Sequence, residues 1–144
     1  MQIAILNGVN LNMLGKRDPE IYGSTTLSQL ETQIYGWASD VGVTARCWQT
    51  NGEGTYIDMI HEAYTGGVDG LIVNPGAWTH YSYAIRDALE VFTGPKVEVH
   101  LSDIEHRDEW RRHSVIAEVV DHRISGHGVD GYREAIAYLK EHGG

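Results

Sequence analysis

At 144 residues the chain is the size of one domain, long enough for a real core but far short of the roughly 250 residues of an eight-stranded α/β barrel. Apolar residues make up 42 % and charged residues 22 %, a globular balance. The formal net charge of −9 argues against nucleic acid or anionic membrane as a partner, and the single cysteine, Cys47, excludes a disulfide framework or a multi-thiolate zinc site.

The first run, Gln2–Asn7, is apolar, of strand length, and ends at Asn7-Gly8, as a buried parallel strand should. No basic region leads a longer apolar stretch there, so neither a signal peptide nor a membrane span is expected and the protein is placed in the cytoplasm. Leu27, Leu30, Ile34, Trp37, Ala38 and Val41 recur at helical spacing, with Ser24, Thr25 and Thr26 as possible N-caps and Gly42 as a stop. Val43–Gln49 reads as a second strand, Tyr56–Tyr64 as a helix, and Gly70–Asn74 as a third strand. Tyr81, Ala84, Ile85, Ala88 and Leu89 mark the next helix, followed by strands at Lys96–Leu101 and Val119–Ser125. Tyr132, Ala135, Ile136 and Leu139 mark a closing helix.

Such alternation predicts one α/β domain, 1–144: a flavodoxin-like three-layer sandwich on a five-stranded parallel sheet of order 2-1-3-4-5. Ligands of these sheets sit beyond the carboxyl ends of the strands, near the switch between strands 1 and 3. The residues expected there are unusually polar: Asn7, Asn10, Asn12, Arg17 and Tyr22 after strand 1, then Asn51 and Glu53. Asn74, Thr79 and His80 follow strand 3, and His100 and Ser102 follow strand 4. One polar loop residue means little, but four successive strand ends carrying amides, histidines or a tyrosine exceed what solvation requires.

The first loop, Asn7–Gly23, is far longer than the usual connection of about 2–6 residues, and Gly15 and Gly23 flank its distal part as possible hinges of a lid. Its sequence, NGVNLNMLGKRDPEIYG, resembles the opening motif of the type II dehydroquinases. NPGAWTHYSYAIRDAL (74–89), EVHLSDIEHRDEWRRHS (98–114) and GHGVDGY (126–132) agree with the same family in order and spacing. Val9 departs from a usual proline, Asp103 from asparagine, and Glu105-His106 from His-Ala; loss of the proline is expected to loosen the turn presenting Asn10.

The resemblance implies a cofactor-free, metal-free hydro-lyase that converts 3-dehydroquinate into 3-dehydroshikimate. It implies that Tyr22 removes the proton next to the substrate ketone, with Arg17 favouring the phenolate. Asn10 would hold a water at the enolate oxygen and His100 would protonate the departing hydroxyl. Asn74, His80, Asp87, Arg111 and the Leu101 and Ser102 amides would hold the carboxylate and ring hydroxyls. A free tyrosine has a pKa of about 10, and lowering it by two to three units takes roughly 3–4 kcal/mol, within reach of one guanidinium in a water-poor site. Glu98 lies two residues before His100 on one strand, hence on the same face, where it can orient the imidazole. Read without the family, Tyr22 is more readily a loop-packing aromatic than a base, and Glu98 can be a solvated strand residue.

Other motifs carry less. Gly126, Gly128 and Gly131 form a G-x-G-x-x-G, but too little chain follows for a second strand and its ribose-binding acid, so a tight turn and close helix approach are expected. The eight histidines lack metal-ligand spacing, and His106, His113, His122 and His142 read as surface residues. Lys16, Lys96 and Lys140 offer a Schiff base only in principle, since that chemistry belongs to the barrel-type dehydroquinase. Ser114 and Cys47 read as structural.

The resemblance further implies trimers assembled into a homododecamer. His80 and Asp87 are expected seven residues apart on one helix, about 10 Å along its axis, too far for both to reach one small ring from a single chain. Asp87 is therefore expected from a neighbouring subunit. A non-catalytic regulatory domain of the same fold, or another small lyase or isomerase using enolate chemistry, remains open at this level.

Overall fold

The computed structural model describes residues 1–143, with Tyr22 described by its backbone alone. Its strands are β1 (Gln2–Asn7), β2 (Thr44–Gln49), β3 (Gly70–Asn74), β4 (Lys96–His100) and β5 (His122–Ser125), all parallel and ordered β2-β1-β3-β4-β5. The expected flavodoxin-like order is therefore the observed one. The α-helices are α1 (Pro19–Tyr22), α2 (Leu27–Asp40), α3 (Glu53–Thr65), α4 (Tyr83–Val91) and α5 (Asp130–His142). No helix among the described residues is long and apolar enough to cross a membrane.

Strand alternation sorts the core into two layers. Ile3, Ile5, Ile72, Val97 and Val99 face α2 and α5, packing with Leu30, Ile34, Ile136 and Leu139. Ala4, Leu6, Leu71 and Val73 face α3 and α4, packing with Tyr56, Ile60, Ile85 and Leu89. Thr26 caps α2 through a reciprocal pair: its hydroxyl accepts from Gln29 N–H while the Gln29 side chain accepts from Thr26 N–H.

Several boundaries differ from those read in the sequence. The run expected as a strand from Val119 begins one turn later, because Ala117–Val119 closes a 3₁₀ turn and pairing with β4 starts only at Asp121 N–H to Lys96 carbonyl. The predicted helix over Tyr81–Leu89 starts at Tyr83, because Ser82 accepts from Ile85 N–H and caps it. His80 ends a separate 3₁₀ helix, Gly76–His80. His80 and Asp87 therefore do not lie on one helix, which removes the spacing argument that set them about 10 Å apart along a common axis. Within the long first loop, the short helix α1 is an addition, capped by Asp18 with Pro19 at its first position.

The loops after β1 and β3 touch backbone to backbone. A Cβ on Gly8 would lie 2.5 Å from the Pro75 carbonyl oxygen, and one on Gly76 would lie 2.5 Å from the Val9 carbonyl oxygen. Gly76 also has φ of +65°, which side chains rarely adopt. Gly131 serves the close helix approach expected of it, since its Cβ would crowd Val99 and Ile124. Gly8→Ala should lower stability by about 1–3 kcal/mol through overpacking against fixed backbone. A urea midpoint unchanged from that of the parent would show that the two loops separate without cost.

Candidate active site

Asn7, Asn74 and His100 end the adjacent strands β1, β3 and β4, and a cleft of about 650 Å³ opens beyond them. Eight residues singled out in the sequence line it: Asn10, Arg17, Asn74, His80, His100, Leu101, Ser102 and Arg111. Glu98 lies beneath it with no solvent exposure. Asp87 is exposed on α4 and is not part of the lining. The backbone of Tyr22 ends α1; its expected role as base rests on a side chain outside the described residues.

The cleft floor is held by a buried chain of hydrogen bonds. Tyr132 on α5 donates to Asn7 Oδ1 at 2.6 Å, and Asn74 Nδ2 donates to the Tyr132 oxygen at 3.0 Å. Asn74 Oδ1 accepts from Gly76 N–H. Both ends of the Asn74 amide are thereby oriented, and its second N–H is left for a ligand. Burial pushes the Tyr132 hydroxyl well above its ordinary titration range, so it acts as a neutral donor and acceptor.

Asn10 sits in the left-handed region at φ of +70°, a conformation asparagine tolerates better than most residues. Its N–H donates to Asn51 Oδ1 at 2.9 Å, and Gln49 Nε2 donates to the same oxygen and to the Gly8 carbonyl. These bonds tie the turn that carries Val9, in place of the usual proline, to the end of β2.

His100 and Glu98 form the most constrained pair. His100 Nε2 lies 2.5 Å from Glu98 Oε2, while Glu98 Oε1 accepts from Ser114 at 3.1 Å and lies 3.3 Å from Arg123 Nε. Burial alone would push the Glu98 carboxyl up. The His100 hydrogen bond, the charges of His100 and Arg123, and the Ser114 hydroxyl outweigh it and hold the carboxyl below its ordinary range. With Nε2 committed to a carboxylate, Nδ1 is the nitrogen through which the ring can exchange a proton.

His80 packs beside it, ring centroids 6.5 Å apart, with Trp110 edge-on at 5.2 Å. Its Nδ1 lies 2.6 Å from the His113 carbonyl, which can only accept, so Nδ1 carries the hydrogen. Burial, with the nearby charges of His100 and Arg111, lowers the His80 pKa against the pull of that carbonyl. The neutral ring then offers Nε2 as an acceptor.

The His100 carbonyl accepts from Gly126 N–H and the Leu101 carbonyl from Gly128 N–H. In a trans peptide N–H opposes C=O, so the Leu101 and Ser102 amides point away from that glycine turn. Arg111 stacks over Trp110 at 4.1 Å, and its buried Nε has no hydrogen-bond partner among the described residues. Arg107, which donates to Ser102 Oγ, joins Arg17 and Arg111 in the lining. The site therefore combines oriented N–H groups, three guanidinium groups and a carboxylate-backed histidine, a set suited to a small anion and proton transfer. Among the described residues no three His, Cys, Asp or Glu side chains gather as a metal would need.

Sequence reasoning missed Arg107, Ser114, Arg123 and Tyr132 as members or supports of this site. Arg107 carried a signal, lying in the same polar segment as Arg111. Ser114 lies in that segment too, but reaches Glu98 only through the path the chain takes before β5, while Arg123 arrives by strand pairing and Tyr132 by the docking of α5.

Comparison with known proteins agrees over nearly the whole chain. Residues 1–140 match the family model described as dehydroquinase class II. The 3-dehydroquinate dehydratase of Pelobacter propionicus is 49 % identical over 140 residues, covering 97 % of this chain and 94 % of that one. Its counterpart from Thermotoga maritima is 52 % identical over 141 residues, covering 98 % and 96 %. The crystal structure of the type II dehydroquinase from Butyrivibrio crossotus superposes with a TM-score of 0.95 at 45 % identity, covering 96 % and 97 %. With a match from end to end and relatives this similar, the chain belongs to the class II dehydroquinase family.

Proposed function

We propose that this chain is a 3-dehydroquinate dehydratase, removing water from 3-dehydroquinate by way of an enolate. Beyond the family itself, the observation that carries the reading is the buried Glu98–His100 pair opening onto a cleft lined by Arg17, Arg107 and Arg111. A carboxylate substrate needs local cations in a chain of net charge −9, and the departing hydroxyl needs an acid.

In this mechanism the Tyr22 phenolate takes the proton from the carbon beside the ketone, and Arg17 favours that phenolate. The electron pair of the broken C–H bond moves into the enolate, whose oxygen a water held by Asn10 stabilises. The enolate then collapses to the conjugated enone as the β-hydroxyl leaves, taking a proton from His100 Nδ1 to depart as water. Glu98 stabilises the charged ring beforehand and keeps Nε2–H afterwards. The Leu101 and Ser102 amides with Asn74 hold the carboxylate, and Arg111 and neutral His80 hold ring hydroxyls. No cofactor or metal takes a step.

Asp87 belongs in this scheme to a neighbouring subunit of a homo-oligomer, trimers building a dodecamer. Its exposure on α4, with Tyr81 and Tyr83 exposed just before it, gives a partner an apolar rim and a carboxylate to dock.

Incubation with dehydroquinate should produce the conjugated enone absorbance of dehydroshikimate; no such product from folded protein would sink the assignment. Tyr22→Phe should retain substrate binding and lose turnover by several orders of magnitude, because the ring stays while the proton acceptor goes. His100→Ala should be similarly inactive yet still exchange the substrate's acidic hydrogen with solvent, and absence of exchange would argue for concerted elimination. Dialysis against a strong chelator should leave kcat intact, whereas a loss restored by one metal would contradict a metal-free mechanism. Tyr22→Phe and Asp87→Ala proteins, each nearly inactive, should regain activity when unfolded and refolded together. Mixed assemblies as dead as their components would show that Asp87 does not act across an interface.

A further inference from the structure

We propose that Arg123 is a positioning residue for the acid: by sharing Glu98 with His100 it loosens the hold of that carboxylate on the His100 proton. The inference rests on the assignment of His100 as the acid. Strand pairing sets Arg123 on β5 directly beside Glu98 on β4. Its Nε lies 3.3 Å from Oε1, whereas His100 takes Oε2, so the two cations occupy different oxygens of one carboxylate and do not compete for space. The Arg123 side chain is 33 % exposed, but the carboxylate it meets is fully buried. Solvent therefore screens this contact less than it would a surface ion pair.

The charge logic follows from the two partners. A protonated histidine facing a lone buried carboxylate forms a neutral pair that gives up its proton reluctantly. With Arg123 on the other oxygen, protonation of the ring leaves a net positive cluster, so release becomes easier, which is what a general acid requires. The other groups facing the pair are few. Lys96 lies on the same side of β4 but donates to the Phe92 carbonyl, and Ser114 donates a neutral hydroxyl to Oε1. Tyr56 on α3 is held neutral by burial, and on the cleft side stand His80, held neutral by burial, and the cations Arg17, Arg107 and Arg111. Among these, Arg123 is the cation in contact with Glu98 itself.

The test follows the His100 ring by NMR across pH, its signals identified by their loss in H100Q, together with the pH profile of kcat/KM. In R123Q and R123M the ring should release its proton at a pH higher by roughly half to one unit, with the alkaline limb of activity moving by the same amount. R123K, which keeps the charge, should stay within a few tenths of a unit of the parent. An unmoved ring titration in a folded R123Q or R123M overturns the proposal. So does failure of both to fold while R123K folds, since Arg123 would then be only a structural counter-ion. If the ring moves but the activity limb does not, the coupling through Glu98 stands and the assignment of His100 as the acid falls.

Discussion

A carboxylate removed entirely from water must be satisfied by the protein, since stranding such a charge costs several kcal/mol. Glu98 meets that demand with an imidazole, a hydroxyl and a guanidinium drawn from β4, the segment before β5, and β5. Each partner is fixed by the same need, so the orientation of His100 follows from the burial of its neighbour. The cleft wall inherits that rigidity. The carbonyls of His100 and Leu101 are tied to Gly126 and Gly128, which turns the following amides away from that glycine loop. A single buried charge thus organises His100 and the segment beside it.

The opposite wall depends on backbone contact instead. Gly8 meets Pro75 and Gly76 meets Val9 at distances no side chain could share, which brings the loops after β1 and β3 together above the sheet. Tyr132, arriving from the last helix, then links Asn7 and Asn74 across the strand ends. Three of the elements that bury the core are therefore also those that position polar groups in the cleft. A change in the docking of α5 reaches Asn74 through one hydroxyl.

What could be read from the sequence divides along the range of the interactions involved. The five strands, the four long helices and the Glu98–His100 pairing are expressed by spacings of two, three or four residues, and the structure reproduces them. Ser114, Arg123 and Tyr132 are not of that kind. Tyr132 and Asn7 lie 125 positions apart, and no periodicity links them before the sheet and α5 are assembled. The misreading around His80 has a different origin. The stretch from Tyr81 to Leu89 keeps a helical period, while the capping hydroxyl of Ser82 interrupts it, and a serine is compatible with either state. Periodicity marked the buried Ile85, Ala88 and Leu89, but Tyr81 and Ala84 of the same set are exposed, and it could not report where the helix begins.

The electrostatics also operate at two ranges. A net charge of −9 repels an anion at a distance, yet at physiological salt such repulsion fades over about 8 Å. Within the cleft, Arg17, Arg107 and Arg111 act at contact range, where screening is weak. For the small anionic substrate proposed, the acidic exterior would slow encounter more than it weakens capture. Its gain is selectivity of size: a polyanion must lay many charges along the acidic surface, whereas a small carboxylate needs only the few ångströms in which the arginines prevail. Negative overall charge and a cationic cleft are thus compatible, and together they favour a compact anion over an extended one.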